Sequence, residues 1–535
     1  MRLVAVVLLV PALATAQVWQ DATPSCLGTT AEWSNKIEVA DLDGDGAVDI
    51  LIANGGSYSS AGSAEPLRVW RNLNNWSQSG SHCSEVTADL GFTGLSRFVK
   101  VADVDGDGDL DVVSGGAWQT QLKLFTQAAG TWSDASAQLP QGPTSAGDAE
   151  FGDVDGDGDL DLVIADWGAG NPNTNPGGRT RLYLNDGHGT FTDATEQMPA
   201  TLVRWSWDLE LVDVDNDWDL DVLVSSKRSA TQFLFKNDGS GHFTEDPAAL
   251  PHVTNNYEFE AMDVDGDGDL DLATVNDGPN DTNLLFINQG DGTFADETSS
   301  RITGTANPSE DDNAIVFVDA DGDGDADMVV ASLSGRDRLL LNDSGHFTLA
   351  GDAATPDDTP GSLGIAAADL DGDGRVDLVQ AQGEVDFPDK VQLATSAVAI
   401  DTQKPVVRVA AGSILHARIH DHQSSSHDFK AVVAMYTDGS TQPLAWYGEY
   451  LWRGNGQGAT MVCATDRANN TTCTPVTAAP GDAGVTPDAP IAMTEPGGCC
   501  DAGGEPPFAL LLLVSARIRW TRRRSGTARR RRRSA

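Results

Sequence analysis

An acidic nine-residue segment recurs seven times along this 535-residue chain, starting at Asp41, Asp103, Asp153, Asp213, Asp263, Asp319 and Asp369. The third copy runs Asp153-Val-Asp155-Gly-Asp157-Gly-Asp159-Leu-Asp161. Successive copies begin 62, 50, 60, 50, 56 and 50 residues apart. A period of that size belongs to repeat architectures, where each unit buries its apolar face only against its neighbours. Within the third repeat the acidic loop is followed by an apolar run from Leu160 to Ala165 and a variable polar stretch from Asp166 to Arg179. Thr180 to Leu184, Asn185-Asp-Gly187 and Thr190 to Ala194 complete the unit. Asn-Asp-Gly between short apolar runs is a hairpin signal. Each repeat therefore predicts four short strands, and seven such repeats predict a seven-bladed β-propeller. An open row of cation-bound turns would need a much shorter period. The seventh repeat lacks the Phe-Thr-Asp-Ala-Thr segment found at Phe191 to Thr195, and Trp19-Gln-Asp-Ala-Thr23 carries its likeness ahead of the first loop. The N-terminal strand is thus expected to complete the last blade and remove an exposed sheet edge.

Carboxylates at positions one, three, five and nine, with glycines between, suit a hard cation with six to eight oxygen ligands. The predicted metal ligands are Asp41, Asp43, Asp45 and Asp49 in the first loop, then Asp103, Asp105, Asp107 and Asp111. Asp153, Asp155, Asp157 and Asp161 follow in the third loop, and Asp213, Asp215, Asp217 and Asp221 in the fourth. The last three sets are Asp263, Asp265, Asp267 and Asp271; Asp319, Asp321, Asp323 and Asp327; and Asp369, Asp371, Asp373 and Asp377. Position seven is Ala47 in one copy and Arg375 in another, which fits a backbone carbonyl ligand there. The fourth copy carries Asn216 and Trp218 where the others have glycine. Because Trp adopts a left-handed backbone poorly, that site is expected to be weak, distorted or empty. Calcium is the expected cofactor, in up to seven sites, and the fold is expected to depend on it.

These residues, with Leu-Tyr-Leu-Asn-Asp-Gly and Phe-Thr-Asp-Ala-Thr, resemble FG-GAP/VCBS repeats, the calcium-binding blades of integrin α-subunit propellers and of many bacterial surface proteins. The resemblance spans residues 17–397. It implies a seven-bladed propeller with calcium between the first two strands of each blade, and no single activity.

The formal charge of −46 is local in origin, since thirty-three aspartates lie in the seven loops and seven divalent cations would bring it to −32. Such acidity argues against nucleic acid as a partner. Residues 1–16 read as a secretory signal, with Arg2, an apolar Leu3 to Leu13 stretch and Ala14-Thr15-Ala16 before the cut. Export permits disulfides; Cys26–Cys83 and Cys463–Cys473 are plausible pairs, though connectivity does not follow from sequence.

After the propeller, residues 398–476 show alternating segments and predict a small β-sandwich. Asp401-Thr-Gln-Lys-Pro405 and Ala464 to Asn470 look like bacterial Ig-like modules. The fold class expected is therefore all-β, a seven-bladed β-propeller followed by a small Ig-like β-sandwich. His416, His420, His422 and His427 cluster there; a zinc site is conceivable, but His416, Arg418, His420 and His422 share one strand face, read as solvated. Residues 477–498 read as an unfolded linker. Residues 499–535, with Cys499-Cys500, a short apolar run and ten arginines from Arg517 to Arg533, resemble C-terminal sorting tails of myxobacterial surface proteins.

No nucleophile elbow, His-Glu-x-x-His or phosphate loop is present, so the chain is not expected to be an enzyme. The expected role is a secreted or surface-displayed calcium-binding module for adhesion or recognition, a monomer located outside the cell or on the outer-membrane side of the surface. Its expected partners are surface proteins or glycans, with membrane contact only through the tail before processing. A glycan-binding lectin is the alternative, using Tyr58, Trp118, Trp167, Trp205 and Tyr257 on the variable-loop face, although Trp205 and Tyr257 singly fit packing between blades. A polysaccharide-degrading enzyme with its site in the central channel is less favoured.

Overall fold

The apolar run after each acidic loop forms a strand buried on both faces, as in Asp161–Asp166 and Asp271–Asn276. A strand buried on both sides reads as continuous rather than alternating hydrophobicity. The fourth strand is far more exposed, as where Phe191 is buried and Thr192 and Asp193 are exposed, because it lies on the outer rim. A computed structural model describes residues 18–476, apart from 58–59, 172, 228–231, 277–281, 352–360, 385–386 and 424–428. The signal, linker and tail segments lie outside the described residues, as do Cys499, Cys500, Tyr58 and His427. Among the described residues no helix is long and apolar enough to cross a membrane.

The protein is all-β. Its first seven sheets are the blades of a propeller, each an antiparallel set of four strands from the inside outwards. Blade three is Ala146–Gly152, Asp161–Asp166, Arg181–Asn185 and Phe191–Asp193. Blade one carries two extra short strands, Ser63–Pro66 and Thr93–Gly94. The innermost strands neighbour one another in sequence order, and that of blade seven, Ser362–Ala368, packs against that of blade one, Ser34–Ala40. Apolar side chains fill the wedges between blades, among them Phe259, Phe286 and Phe347.

Ring closure follows the sequence expectation. Trp19–Asp21 pairs antiparallel with Lys390–Ala394 as the outer strand of blade seven, with Trp19 opposite Ala394. Both expected disulfides are formed. Cys26–Cys83 ties the closing segment to the outer strand of blade one, so the chain start is fastened to two blades. Two further four-stranded sheets follow the propeller. They share a core of Leu415, Ala417, Ile419, Val432, Ala434, Val462 and Ala464. Cys463–Cys473 links paired strands of the second sheet.

Replacing Cys26 and Cys83 together by serine is expected to lower unfolding stability by about 4 kcal/mol, since the bridge closes a long loop. Urea unfolding of parent and variant measures this; equal midpoints would show that closure does not need the bridge.

Candidate functional site

Each acidic loop is built around two inward-pointing side chains. The ninth aspartate is almost fully buried and its two oxygens divide their work. In the third loop, Asp161 Oδ2 accepts from Val154 N at 3.1 Å, and Oδ1 accepts from Asn185 N on the third strand at 2.9 Å. The same pair recurs at Asp49, Asp111, Asp221, Asp271, Asp327 and Asp377. The third-strand asparagine then reaches sideways. Asn185 Nδ2 donates to Leu160 O of its own loop at 3.2 Å and to Val104 O of the preceding blade's loop at 2.8 Å. Asn237, Asn288 and Asn342 repeat this bridge, and Gln127 stands in for asparagine in blade two. Asn72 joins blade one to Leu370 O of blade seven at 2.7 Å, across the point where the ring closes. Blade seven has Ala394 at this place, and Trp19 Nε1 donates to Val376 O instead, at 2.9 Å. In the sequence these asparagines signal only a hairpin turn; in the fold their side chains also join neighbouring blades.

The remaining aspartates shape the loop. Asp153 Oδ1 accepts from Gly156 N and Oδ2 from Gly158 N, and Asp157 Oδ1 accepts from Asp159 N. Ligand oxygens of Asp41, Asp43 and Asp45 converge within 4.8 Å of one another, as do those of Asp103, Asp105 and Asp111. The same holds for Asp153, Asp155 and Asp161, for Asp213, Asp215 and Asp217, and for Asp263, Asp265 and Asp271. Position-seven side chains point away: Asp109 Oδ2 accepts from Ala129 N and Asp325 Oδ2 from Ser344 N, both in outer hairpin turns. Buried Asp213 Oδ1, Asp215 Oδ1 and Asp265 Oδ1 accept no hydrogen bond. Clustered, partly orphaned carboxylate oxygens are the donor set a hard divalent cation takes. Burial pushes the ninth aspartates up, to about 8 for Asp161, Asp271, Asp327 and Asp377, against the backbone donors that lower them.

The fourth loop keeps the common path. Trp218 has φ 76°, against 92° for Gly46 and 105° for Gly268, so the tryptophan takes the left-handed backbone rather than distorting the loop. Its carbonyl accepts from Tyr447 Oη at 3.1 Å, and its ring lies 5.8 Å from His416. The C-terminal sheets sit on this acidic face. Arg418 Nη2 donates to Asp213 Oδ2 at 2.6 Å and Nη1 to Asn216 Oδ1 at 2.7 Å. Arg453 pairs with Asp153, and Arg408 lies 3.6 Å from Asp263. The strand face of His416, Arg418, His420 and His422 is therefore not solvated, correcting the sequence expectation: Arg418 and His420 are each 4% exposed. Acidic loops left uncovered would repel one another, and an arginine-bearing strand face relieves that.

Inside the ring, the residue three places before each acidic loop faces the channel. These residues are Glu38, Lys100, Glu150, Glu210, Glu260, Val316 and Ala366, and with Glu449 and Tyr450 of the second module they line a cavity of about 220 Å³. A second tier holds Lys36 Nζ between Asp148 Oδ2 and Asp208 Oδ1, each at 2.5 Å. Burial pushes Glu38 to about 7, Glu150 and Glu258 to about 8 and Asp208 to about 6, with Lys36 and Lys100 pulling the other way. A separate cluster gathers Trp167, Trp205, Trp207 and Tyr257, all buried, with the Arg97 guanidinium 4.0 Å from the Trp207 ring centre. Of the aromatic residues expected on a sugar-binding face, Trp167, Trp205 and Tyr257 are thus inside the molecule.

Fold and site together define a β-propeller of acidic-loop repeats. The chain belongs to the FG-GAP-like repeat family, whose pattern matches residues 41–114, 103–164, 168–224, 213–274, 263–330 and 319–379. No curated protein matches it. Among solved structures it is similar to BBS1N in complex with ARL6DN, with 11% identity and TM-score 0.45, over 72% of this chain and 99% of that one. It is also similar to YCF48 bound to D1 peptide, with 11% identity and TM-score 0.41, over 69% and 95%. The exotype rhamnogalacturonan lyase YesX shows 14% identity and TM-score 0.39, over 69% and 73%. These likenesses are distant and assign this chain no partner or substrate.

Two outcomes test the site. Asn237→Ala leaves Val154 O and Leu220 O without their donor and should cost about 2–6 kcal/mol at roughly 1–3 kcal/mol per stranded group; a loss under about 0.5 kcal/mol in urea unfolding would remove the bridge from the account. The second concerns pH. Channel and loop carboxyls with raised folded pKa values bind protons more tightly folded than unfolded. Their contribution is complete below about pH 4 and is lost as pH rises through 6 to 8. His416, His420 and His422, lowered by burial, oppose this only near and below pH 6.5. In chelator, the melting temperature should fall between pH 6.5 and 8.5; a rise over that interval would contradict the assignment.

Proposed function

We propose that this chain is an exported, non-catalytic recognition module, a propeller whose acidic loops hold calcium and whose opposite, variable-loop face meets a partner protein. The observation that carries the reading is the state of the channel. A propeller enzyme would place its chemistry there, and here Trp446, Glu449 and Tyr450 of the second module line it together with the inner strands. The aromatic cluster weakens the lectin alternative, because Trp167, Trp205 and Tyr257, three of the rings that would stack on a sugar, are buried.

The first, third and fifth aspartates of each loop would hold the ion, with the ninth bracing them and adding an oxygen where it converges. Calcium would supply positive charge to a cluster that otherwise repels itself. The two disulfides support an oxidising compartment. The ligand face would be formed by the loops that leave the second strands, including Trp167 to Arg179, where Arg179 pairs with Glu196 and Arg181 with Asp166 beside a polar cleft.

Calcium at a hundredfold excess over its dissociation constant stabilises by about 2.7 kcal/mol per site. Chelation should therefore lower the melting temperature of the mature protein by about 3 °C for each filled site, at roughly 2.1 cal/mol/K of unfolding entropy per residue, measured by scanning calorimetry; an unchanged melt would remove calcium from the proposal. On a glycan array in calcium, no sugar class should be retained, and calcium-dependent retention of a defined class would replace the proposal with a lectin.

A further inference from the structure

Three carboxylates outside the seven repeats meet where the second module joins blades six and seven. Asp401 precedes the strand Val406–Ala410, Asp421 follows Ile414–His420 and Asp466 follows Ala459–Thr465. Val406 is paired with His420, so Asp401 and Asp421 lie at one end of their sheet. Asn470 ties in the facing sheet: its N–H donates to Asp466 Oδ1 at 2.8 Å and its Nδ2 to Asp401 Oδ1 at 3.2 Å. The Asp421 and Asp466 carboxyls touch each other. Asp401 is 9% exposed, Asp421 6% and Asp466 0%.

Each carboxylate has one oxygen fixed by a backbone donor. Gln403 N donates to Asp401 Oδ1 at 3.1 Å and Gln423 N to Asp421 Oδ1 at 3.0 Å, with Asn470 N serving Asp466. The second oxygens of Asp421 and Asp466 are buried and accept no hydrogen bond. Among the described residues, no lysine, arginine or histidine pairs with any of the three. The acidic loops three, four and five, by contrast, each have an arginine of the second module close by, at Asp153, Asp213 and Asp263. Three buried like charges without a counter-charge are untenable; they need protons or a cation. Backbone donors orient all three as acceptors, and oxygens that only accept suit a hard cation.

We propose that Asp401, Asp421 and Asp466 form a separate divalent-cation site, calcium by its all-oxygen donors, which fastens the second module to the propeller. The same short segments make the junction. Asp401 N donates to Gly374 O at 2.7 Å, Gln403 Nε2 to Gly322 O at 2.9 Å and Gln423 Nε2 to Asp319 O at 2.6 Å. An ion drawing the three aspartates together orders the segments that grip loops six and seven. This site does not depend on whether the seven repeats bind calcium.

The test counts calcium by native mass spectrometry on the full mature chain, for the parent, Asp466→Asn and Asp421→Asn, with melting temperatures in calcium and in chelator. Each variant should bind one calcium fewer than the parent. Each should melt higher than the parent in chelator, where a repulsive charge is gone, and gain less from added calcium. An unchanged calcium count with a higher melt in both buffers would overturn the site and leave a carboxyl pair sharing a proton. A parent that binds a single calcium, lost in both variants, would uphold this site while removing calcium from the repeats. Should one variant fail to fold, the other carries the same comparison.

Discussion

A buried side-chain amide in six of the seven blades holds this ring together. An asparagine at the end of the third strand, with glutamine in blade two, satisfies a carbonyl in its own acidic loop and another in the loop of the blade before it. Both carbonyls lie inside the protein, where a polar group without a partner costs roughly 1–3 kcal/mol. Apolar packing between blades is broad but tolerant of sliding; a directed hydrogen bond is not. The bridge therefore fixes the angle at which apolar wedges meet, and the ninth aspartate fixes the asparagine's own backbone. Where blade seven lacks the asparagine, the Trp19 indole donates to Val376 O of the same blade, and Ala320 O in the loop of blade six accepts from the Ala399 N–H instead.

Negative charge is the difficulty that remains. The acidic loops all face one side, and carboxylates also ring the channel. The second module answers both. Its arginines reach the first aspartates of loops three to five, and its Glu449 to Tyr450 turn covers the channel mouth, with Tyr450 Oη donating to Ala261 O at 3.0 Å. Two lysines inside the channel, Lys36 and Lys100, sit among the carboxylates; burial disfavours their charge, but Asp148, Glu150 and their neighbours hold both pKa values well above the usual lysine range. The propeller and the sandwich are thus electrostatically dependent on each other, not beads on a string.

Much of this was legible in the sequence because repetition multiplies weak signals. Seven copies of one loop predict the blades, and the stray Trp19 to Thr23 motif predicts ring closure. The asparagine bridge was visible as Leu-Tyr-Leu-Asn but was read as a turn, because a hairpin explains a lone Asn and only the third dimension shows the neighbouring carbonyl. The alternating His416 to His422 strand read as half-solvated, since nothing in a sequence says that an acidic loop face lies opposite its arginine. Trp205 and Tyr257 are buried, as packing between blades requires, while Trp167, expected on the open variable-loop face, is buried with them. Trp218 shows the reverse case, where a residue unsuited to a left-handed backbone is held there by contacts from a distant segment.

Hydrogen exchange, resolved to single amides and run with calcium and with chelator, tests the central claim most directly. The amides of Val154 and Asn185, both bound by Asp161, should rank among the slowest in either condition, while those of Gly156 to Gly158 should exchange quickly in chelator and slow when calcium is added. If Val154 and Asn185 exchange as fast in chelator as the loop glycines do, the ninth aspartate and its asparagine do not hold the ring, and the account fails at its base.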